Sequence, residues 1–300
     1  MAATLRGRER LVRAHFAECR NLRKRLLLKF WRSFLQGLWR PERRNRKIGT
    51  KSSGYSKSKD MRIPESWLDK HGNCSFYYER LERPQVEQVA IARHHLTFLY
   101  DPPHEGFSYG CSPSDVAKLL ASVSSLAPAL PNIVAFRQPT RKQRQQNPVW
   151  GRFLYFAEFG EHCGTALVLE AQELGAQLKW PKRMTLEDRA EFERLILDGH
   201  GCVETKRHHV IVLTEESLRN TKLYRTLLHE VGHLADYHQK VLREQTALDP
   251  SNDAAADLYF SRPTSEREAF AHRFAEQLRQ RLLEDGAIPF EPQPLPKPDV

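Results

Sequence analysis

The sequence predicts an α+β fold behind a basic helical N-terminal extension. Two observations predict this class. Apolar segments at 152–159 and 164–172 have the short pattern of strands, whereas segments from about Leu218 to Arg243 and at 265–286 repeat apolar residues at helical spacing. The 300 residues are enough for one substantial domain with appendages or for two smaller domains. No run of about 18 apolar residues is present, which argues against a transmembrane protein.

The first 60 residues differ from the rest of the chain in charge. They hold 18 Lys or Arg against four acids, which gives these residues a net charge of +14. Because the whole chain has a net charge of +10, the remaining residues have a net charge near −4. Apolar residues recur at helical spacing between residues 11 and 38. Residues 1–60 are therefore expected to form a basic amphipathic helix and a flexible linker. Three roles are open for this leader: contact with an anionic membrane surface or nucleic acid, a transit-like segment, or a helix docked on the body.

The body is expected to span residues 61–286, and the proline-rich residues 287–300 to form an extended tail. Segments 152–159 and 164–172 are expected to pair as a hairpin, with 164–172 as the edge strand of a small mixed sheet. Thr185 and Gly199 are typical of the two ends of a helix. The other expected elements are helical segments at 85–100 and 114–126, and a strand at 208–213.

The cysteines indicate a reducing compartment. Five of them are scattered along the chain without a CxxC pair, which argues against both a disulfide framework and a cysteine-rich zinc site. The expected location is therefore cytoplasmic.

The long helix carries the run His229-Glu230-Val231-Gly232-His233. Two imidazoles four residues apart project from one helix face and can bind a single metal ion, here Zn²⁺. A carboxylate between them can take a proton from a water on the metal, whose pKa falls to about 7. The pattern thus indicates Glu230 as a general base, and Gly232 keeps side-chain volume away from the metal or a neighbouring element.

Two further residues follow this motif on the same helix. Asp236 stands three residues after His233, where its carboxylate could accept the second N–H of a ligand imidazole, or could simply be a surface acid. His238 does not fit the extended ligand set HExxHxxGxxH and is interpreted as peripheral.

A hydrolytic zinc site needs a third protein ligand and an open fourth position. Glu266 and Glu268 lie in the first turns of the helix at 265–286, about 200° apart around its axis, so they cannot both point at one metal. Glu266 suits the positive end of the helix dipole. Glu268 precedes small and aromatic residues that suit close helix packing and is favoured. The alternatives are Glu266 and three acids of the intervening loop, Asp249, Asp253 and Asp257.

The segments HEVGHLADY and SEREAFAHRF, within residues 225–275, resemble the gluzincins, which carry HExxH on one helix and a glutamate ligand on a second. More narrowly, they resemble the lethal factor-like catalytic domain family, which includes the Mlc titration factor peptidases. This resemblance implies a gluzincin-like metallopeptidase domain. His229, His233 and Glu268 fall on the zinc ligands, Glu230 on the base, and Asp236 on the aspartate after the motif. The family's active-site tyrosine would correspond to Tyr259, at a different spacing, so a buried core tyrosine is the alternative.

The sequence therefore leads to the hypothesis of a zinc-dependent peptidase that binds one Zn²⁺ ion and hydrolyses peptide or protein substrates. Two alternatives remain open. One is a metal-binding regulatory protein that does not hydrolyse. The other is a protein that binds nucleic acid or membrane through its basic arm and holds only a structural metal.

Overall fold

The computed structural model describes residues 66–68, 74–146, 148–243 and 254–293. The strands are β1 (Ser66–Leu68), β2 (Cys74–Phe76), β3 (Gln85–Ile91), β4 (His94–Tyr100), β5 (Phe107–Ser108), β6 (Ile133–Arg137), β7 (Gly151–Phe159), β8 (His162–Glu170), β9 (Gln172–Glu173), β10 (Gln177–Pro181), β11 (Gly201–Glu204) and β12 (His208–Val212). The α-helices are α1 (Pro113–Val123), α2 (Arg141–Gln146), α3 (Leu186–Leu197), α4 (Glu215–Thr221), α5 (Leu227–Tyr237), α6 (Ala254–Ser261) and α7 (Thr264–Glu284). The leader at 1–60 and tail residues 294–300 lie outside the described part of the chain.

The chain divides into two compact units. In the smaller unit, β1 pairs antiparallel with β2. The same unit contains α2, whose first turn is closed by reciprocal hydrogen bonds between Thr140 and Gln143. All remaining elements belong to the larger unit.

A five-stranded sheet in the order β3-β4-β6-β8-β7 forms the centre of the larger unit. The pairs β4–β6 and β6–β8 are parallel, whereas β3–β4 and β7–β8 are antiparallel. The sheet is therefore mixed, as expected. The predicted hairpin of β7 and β8 is confirmed, but the prediction that 164–172 forms the edge strand is wrong. β8 lies between β6 and β7, and β7 is at the edge. The apolar side chains of β8 are buried alternately in the clusters on the two faces of the sheet, as in a central strand.

Both faces of this sheet are buried. On one face, side chains such as Phe98 and Leu167 pack with apolar residues of α1 and α5. On the other face, Leu154 and Val168 belong to a second apolar cluster against which Tyr78 and Leu81 pack. A separate antiparallel sheet has the order β10-β12-β11, and β5 pairs with β9. None of the described helices has both the length and the apolar character needed to cross a bilayer.

The prediction of helical structure at 85–100 is wrong, because this segment is the antiparallel hairpin of β3 and β4. The strands join at Ala92, whose φ of 51° is in the left-handed region. No glycine or asparagine marks that turn in the sequence, and such residues are the usual signal of positive φ. Leu96 and Phe98 of β4 are fully buried in the sheet, a tertiary environment that overrides local helical periodicity.

The other predicted elements are confirmed with shifted ends. α1 covers most of 114–126, α3 begins after the N-cap Thr185, and β12 covers most of 208–213. The helix predicted at 265–286 is α7, and Gly286 follows it with a positive φ.

The long helix predicted from Leu218 to Arg243 begins earlier, at Glu215, because Thr214 and Ser217 cap its first turn reciprocally. It is also not uniform. Two five-residue π-helical turns, Lys222–Thr226 and His238–Leu242, flank α5.

 The run His229–His233 lies on the regular α-helical stretch between these turns, α5. Such turns are uncommon and often accompany functional sites.

The described part of the tail, residues 287–293, contains no helix or strand, in line with the extended tail that was predicted. It is held by a buried ion pair between Arg219 and Asp115, whose two contacts are 2.7 and 2.9 Å long. The backbone N–H of Gln293 donates to Asp115 at 2.8 Å, and Arg219 donates to the carbonyl oxygen of Phe290 at 3.2 Å. The chain therefore returns to α1 and α4 after α7 ends.

Candidate metal centre

The site forms where α5 and α7 pack closely together. Gly232 of α5 faces the backbone of Ala271 on α7, and any side chain at position 232 would meet that backbone. His229 and His233 lie on either side of Gly232 in the sequence, and Glu268 lies three residues before Ala271. The glycine contact therefore allows side chains from two helices to converge on one point.

Three potential ligand atoms converge there. The two Nε2 atoms of His229 and His233 are 3.1 Å apart. Oε2 of Glu268 lies 3.3 Å from Nε2 of His229, and Oε1 of Glu268 lies 3.5 Å from Nε2 of His233. With one ligand atom taken from each of the three residues, the atoms lie within 4.8 Å of one another, and no other group of this kind is found among the described residues.

This geometry fits a zinc ion. Tetrahedral zinc binds nitrogen and oxygen at about 2.0–2.1 Å, which puts neighbouring ligand atoms about 3.3–3.4 Å apart. The three observed separations bracket that value. Two imidazoles and one carboxylate are also the donor set of known hydrolytic zinc sites, which leave a fourth position open. The expected ligands His229, His233 and Glu268 are thus brought together.

The site is open on the side of Glu268. The Glu268 side chain is 46% exposed, whereas those of His229 and His233 are 16% and 10% exposed. The pKa of Glu268 lies well below its usual range, because both histidines hydrogen-bond to its carboxylate. Burial lowers the pKa of His233, but the hydrogen bond with Glu268 and the charges of Glu230 and Glu268 raise it overall.

Glu230 lies beside this group without belonging to it. Its side chain is buried, and burial raises the pKa of its carboxyl group. The charges of His229 and His233 oppose that rise, as does a hydrogen bond from the backbone N–H of Phe153 on β7. The carboxylate is therefore held between the imidazole pair and the edge strand of the sheet, as a general base next to a metal would be.

Asp236 does not reach either imidazole. Its buried carboxylate accepts hydrogen bonds from Lys240 and, at 3.4 Å, from Arg262. The Nδ1 atoms of His229 and His233 are buried and have no hydrogen-bond partner among the described residues. The expected contact between Asp236 and a ligand imidazole is absent, because Lys240, one turn further along the helix, and Arg262, which directly follows α6, pair with the carboxylate instead.

Tyr259 is a core residue. It is only 1% exposed, and its hydroxyl group lies 3.3 Å from that of Tyr155. Its ring also contacts the rings of Tyr237 and Phe260. Burial and the hydrogen bond with Tyr155 raise its pKa strongly. The alternative of a buried core tyrosine therefore describes Tyr259, and we do not place its hydroxyl in the metal centre.

The competing acids are elsewhere. Glu266 lies in the first turn of α7 and accepts a hydrogen bond from Arg262 at 3.3 Å, so it does not join the histidines. Asp257 is on α6 and is not part of the group. Asp249 and Asp253 lie outside the described residues. His238, interpreted as peripheral, is also not part of the group.

The sequence interpretation missed one residue, His272. Its ring lies 4.4 Å from the ring of His229, measured between centroids. Burial lowers its pKa, and the charge of His229 lowers it further. His272 follows Glu268 by four residues on α7, and that spacing places both side chains on one helix face. The spacing was visible in the sequence, although its meaning depended on knowing that Glu268 faces the histidines.

Comparisons with known proteins do not identify a family. No protein-family model matches the chain, and no curated protein or solved structure matches it either. The resemblance to the gluzincins therefore stays a prediction.

Proposed function

We propose that this protein is a zinc-dependent peptidase with a gluzincin-like catalytic domain. His229, His233 and Glu268 would hold one zinc ion, and Glu230 would act as the general base. The convergence of three ligand atoms from two helices, at the spacing of zinc ligands, carries the proposal.

A bound zinc ion in such a site polarises a carbonyl group and lowers the pKa of a water molecule to about 7. The protein's part is to place the proton acceptor. Glu230 is in the same helical turn as His229 and is fixed by the backbone N–H of Phe153. From there it can accept a proton from the attacking water and pass it to the leaving amine, so that the peptide bond breaks without a covalent enzyme intermediate.

The strand that borders the site is β7. Among the described strands it pairs with β8 alone, and it contains Phe153, whose backbone N–H donates to Glu230. An unpaired edge can bind an extended peptide by adding it as a further strand. The register of the β7–β8 pairing shifts between Leu154 and Ala157. A peptide added to β7 would therefore pair regularly before or after these residues, but not across them. An extended peptide or protein segment is therefore the substrate class we propose.

The test compares the wild-type protein with the variants Glu230→Gln and Glu266→Gln. Glu266 is the matched control, because it undergoes the same chemical change on the surface of α7. Each zinc-loaded protein is incubated with a peptide library, and cleavage is followed by mass spectrometry. Glu230→Gln is expected to retain one zinc and to lose cleavage by at least about 100-fold, since an amide cannot accept the proton. Glu266→Gln is expected to behave as wild type.

Two outcomes would count against the proposal. Undiminished cleavage by Glu230→Gln would remove Glu230 from the role of base. Stoichiometric zinc without any cleavage by the wild-type protein would favour the regulatory alternative.

A further inference from the structure

A third imidazole borders the candidate metal centre. His272 contacts the ring of His229 at 4.4 Å between centroids, with the two ring planes inclined at 45°. His272 is exposed to solvent, and no described residue forms a hydrogen bond with its ring. The contact with His229 restricts where this imidazole can lie, while its nitrogens remain available to a ligand.

His272 shares a helix face with Glu268. The two residues are four apart on α7, so they are separated by about 40° around the helix axis. Glu268 is the ligand whose side chain is most exposed, and it therefore marks the open side of the centre. A molecule that enters from this side to reach the metal would pass next to the His272 imidazole.

His272 does not belong to the ligand set itself. The group of mutually close ligand atoms contains only His229, His233 and Glu268 among the described residues. A fourth protein ligand would also occupy the position that hydrolysis requires to be open. We therefore distinguish His272 from the ligands and consider its contact with substrate.

Peptide hydrolysis requires a hydrogen-bond donor for the carbonyl oxygen, which gains negative charge when water attacks the carbonyl carbon. Tyr259, the residue implied by family resemblance, is 1% exposed and shares its hydroxyl hydrogen bond with Tyr155. A neutral imidazole has one N–H donor. Of Tyr259 and His272, only His272 is exposed to solvent at the open side of the centre, where it could donate to this oxygen.

We propose that His272 is a catalytic residue that donates a hydrogen bond to this oxygen. The inference rests on the proposed peptidase function. In the reaction the water oxygen bonds to the carbonyl carbon, and the carbon–nitrogen bond breaks. The proton taken up by Glu230 goes to the leaving nitrogen. His272 forms no covalent bond and undergoes no net change.

The experiment uses the full-length zinc-loaded protein and the variants His272→Ala, His272→Gln and Arg273→Ala. Arg273 is the control, because it is the exposed neighbour about 100° away around the helix. Three quantities are measured: zinc content, kcat/KM on the best-cleaved library peptide, and the Kd of a phosphonamidate analogue of that peptide. The analogue carries tetrahedral phosphoryl oxygens in place of the attacked carbonyl.

His272→Ala is expected to retain one zinc, to lose about 100- to 1000-fold in kcat/KM, and to bind the phosphonamidate correspondingly more weakly. His272→Gln keeps an N–H donor and should recover part of both losses. Arg273→Ala should match wild type in all three measurements.

The two proposals fail in different ways. A wild-type protein that neither cleaves peptides nor binds the phosphonamidate would overturn the peptidase function, and this inference with it. If the wild type does both and His272→Ala does so equally well, only the role of His272 is overturned. Loss of zinc from His272→Ala would also overturn it, since that result would make His272 a ligand.

Discussion

Gly232 of α5 lies so close to Ala271 of α7 that a Cβ atom built on Gly232 would be 2.8 Å from the Ala271 carbonyl oxygen and 2.9 Å from its Cα. Both are backbone atoms, which cannot move aside as a flexible side chain can. The separation of the two helices at this point is therefore set by the absence of a side chain at residue 232. The same separation determines the distance from Glu268 to the two histidines.

We expect Gly232→Ala to force the helices apart and to weaken both the fold and the site. The free energy of unfolding should fall by about 1–3 kcal/mol, as for other overpacked positions. Zinc affinity should fall as well, because Glu268 would move away from His229 and His233. Gly201→Ala is the control, since a Cβ at residue 201 meets nothing within 4 Å. Urea unfolding and chelator competition measure the two effects, and wild-type values for Gly232→Ala would contradict the prediction.

The ligand set predicts a specific pattern of metal loss. His229→Ala, His233→Ala and Glu268→Ala should each abolish stoichiometric zinc, because two remaining ligands form an incomplete site. Glu266→Ala should retain zinc, since Glu266 contacts Arg262 instead. Elemental analysis of the purified variants measures their zinc content and so tests this pattern. If Glu266→Ala lost the metal and Glu268→Ala kept it, the assignment of the third ligand would be reversed.

Lys222 predicts a pH dependence of stability away from the metal centre. Its side chain is fully buried and donates to the backbone carbonyl oxygen of Glu170. Burial lowers the pKa of Lys222 from 10.5 to about 8. Between these values the unfolded chain binds more protons than the folded one, so the contribution of Lys222 to stability rises with pH from 8 to 10.5. The rise should reach about 3 kcal/mol in total.

The measurement is the free energy of unfolding at several pH values for the wild type and for Lys222→Met. The difference between the two proteins removes the contributions of titrating groups that do not interact with Lys222. Cys111 also titrates in this range and does interact with Lys222. Burial raises the pKa of Cys111 from 9.0 to about 12, so its contribution to the free energy of unfolding falls as pH rises above 9.0. The advantage of Lys222→Met over wild type should shrink as pH rises. A constant difference would show that Lys222 keeps an ordinary pKa.

Local signals in the sequence were sufficient for most of the helices and for the residues of the motif. The four-residue spacing of His229 and His233 already places both imidazoles on one helix face, because the helical repeat determines it. The choice of Glu268 over Glu266 could also be made from their angle around α7 and from the packing residues that follow. Thr185 and Gly199 marked the ends of α3 because caps depend on the backbone of the next few residues only.

Other features depended on contacts between distant parts of the chain. The hairpin of β3 and β4 was missed because its turn at Ala92 lacks a sequence signal and its strands are stabilised by the rest of the sheet. The sequence interpretation did not recognise that β7 rather than β8 lies at the edge, although the continuous apolar run at 166–169 is typical of a central strand; the pairing of β8 with β6 determines its position.

The sequence by itself determined which residues could bind a metal, because spacing on a helix is a local property. Tertiary structure alone decided what surrounds them. Asp236 was placed with Arg262, Tyr259 was buried with Tyr155, and His272 was brought against His229. Each of these outcomes results from the packing of one helix or strand on another, and the energies that select such packing are summed over many contacts far apart in the chain.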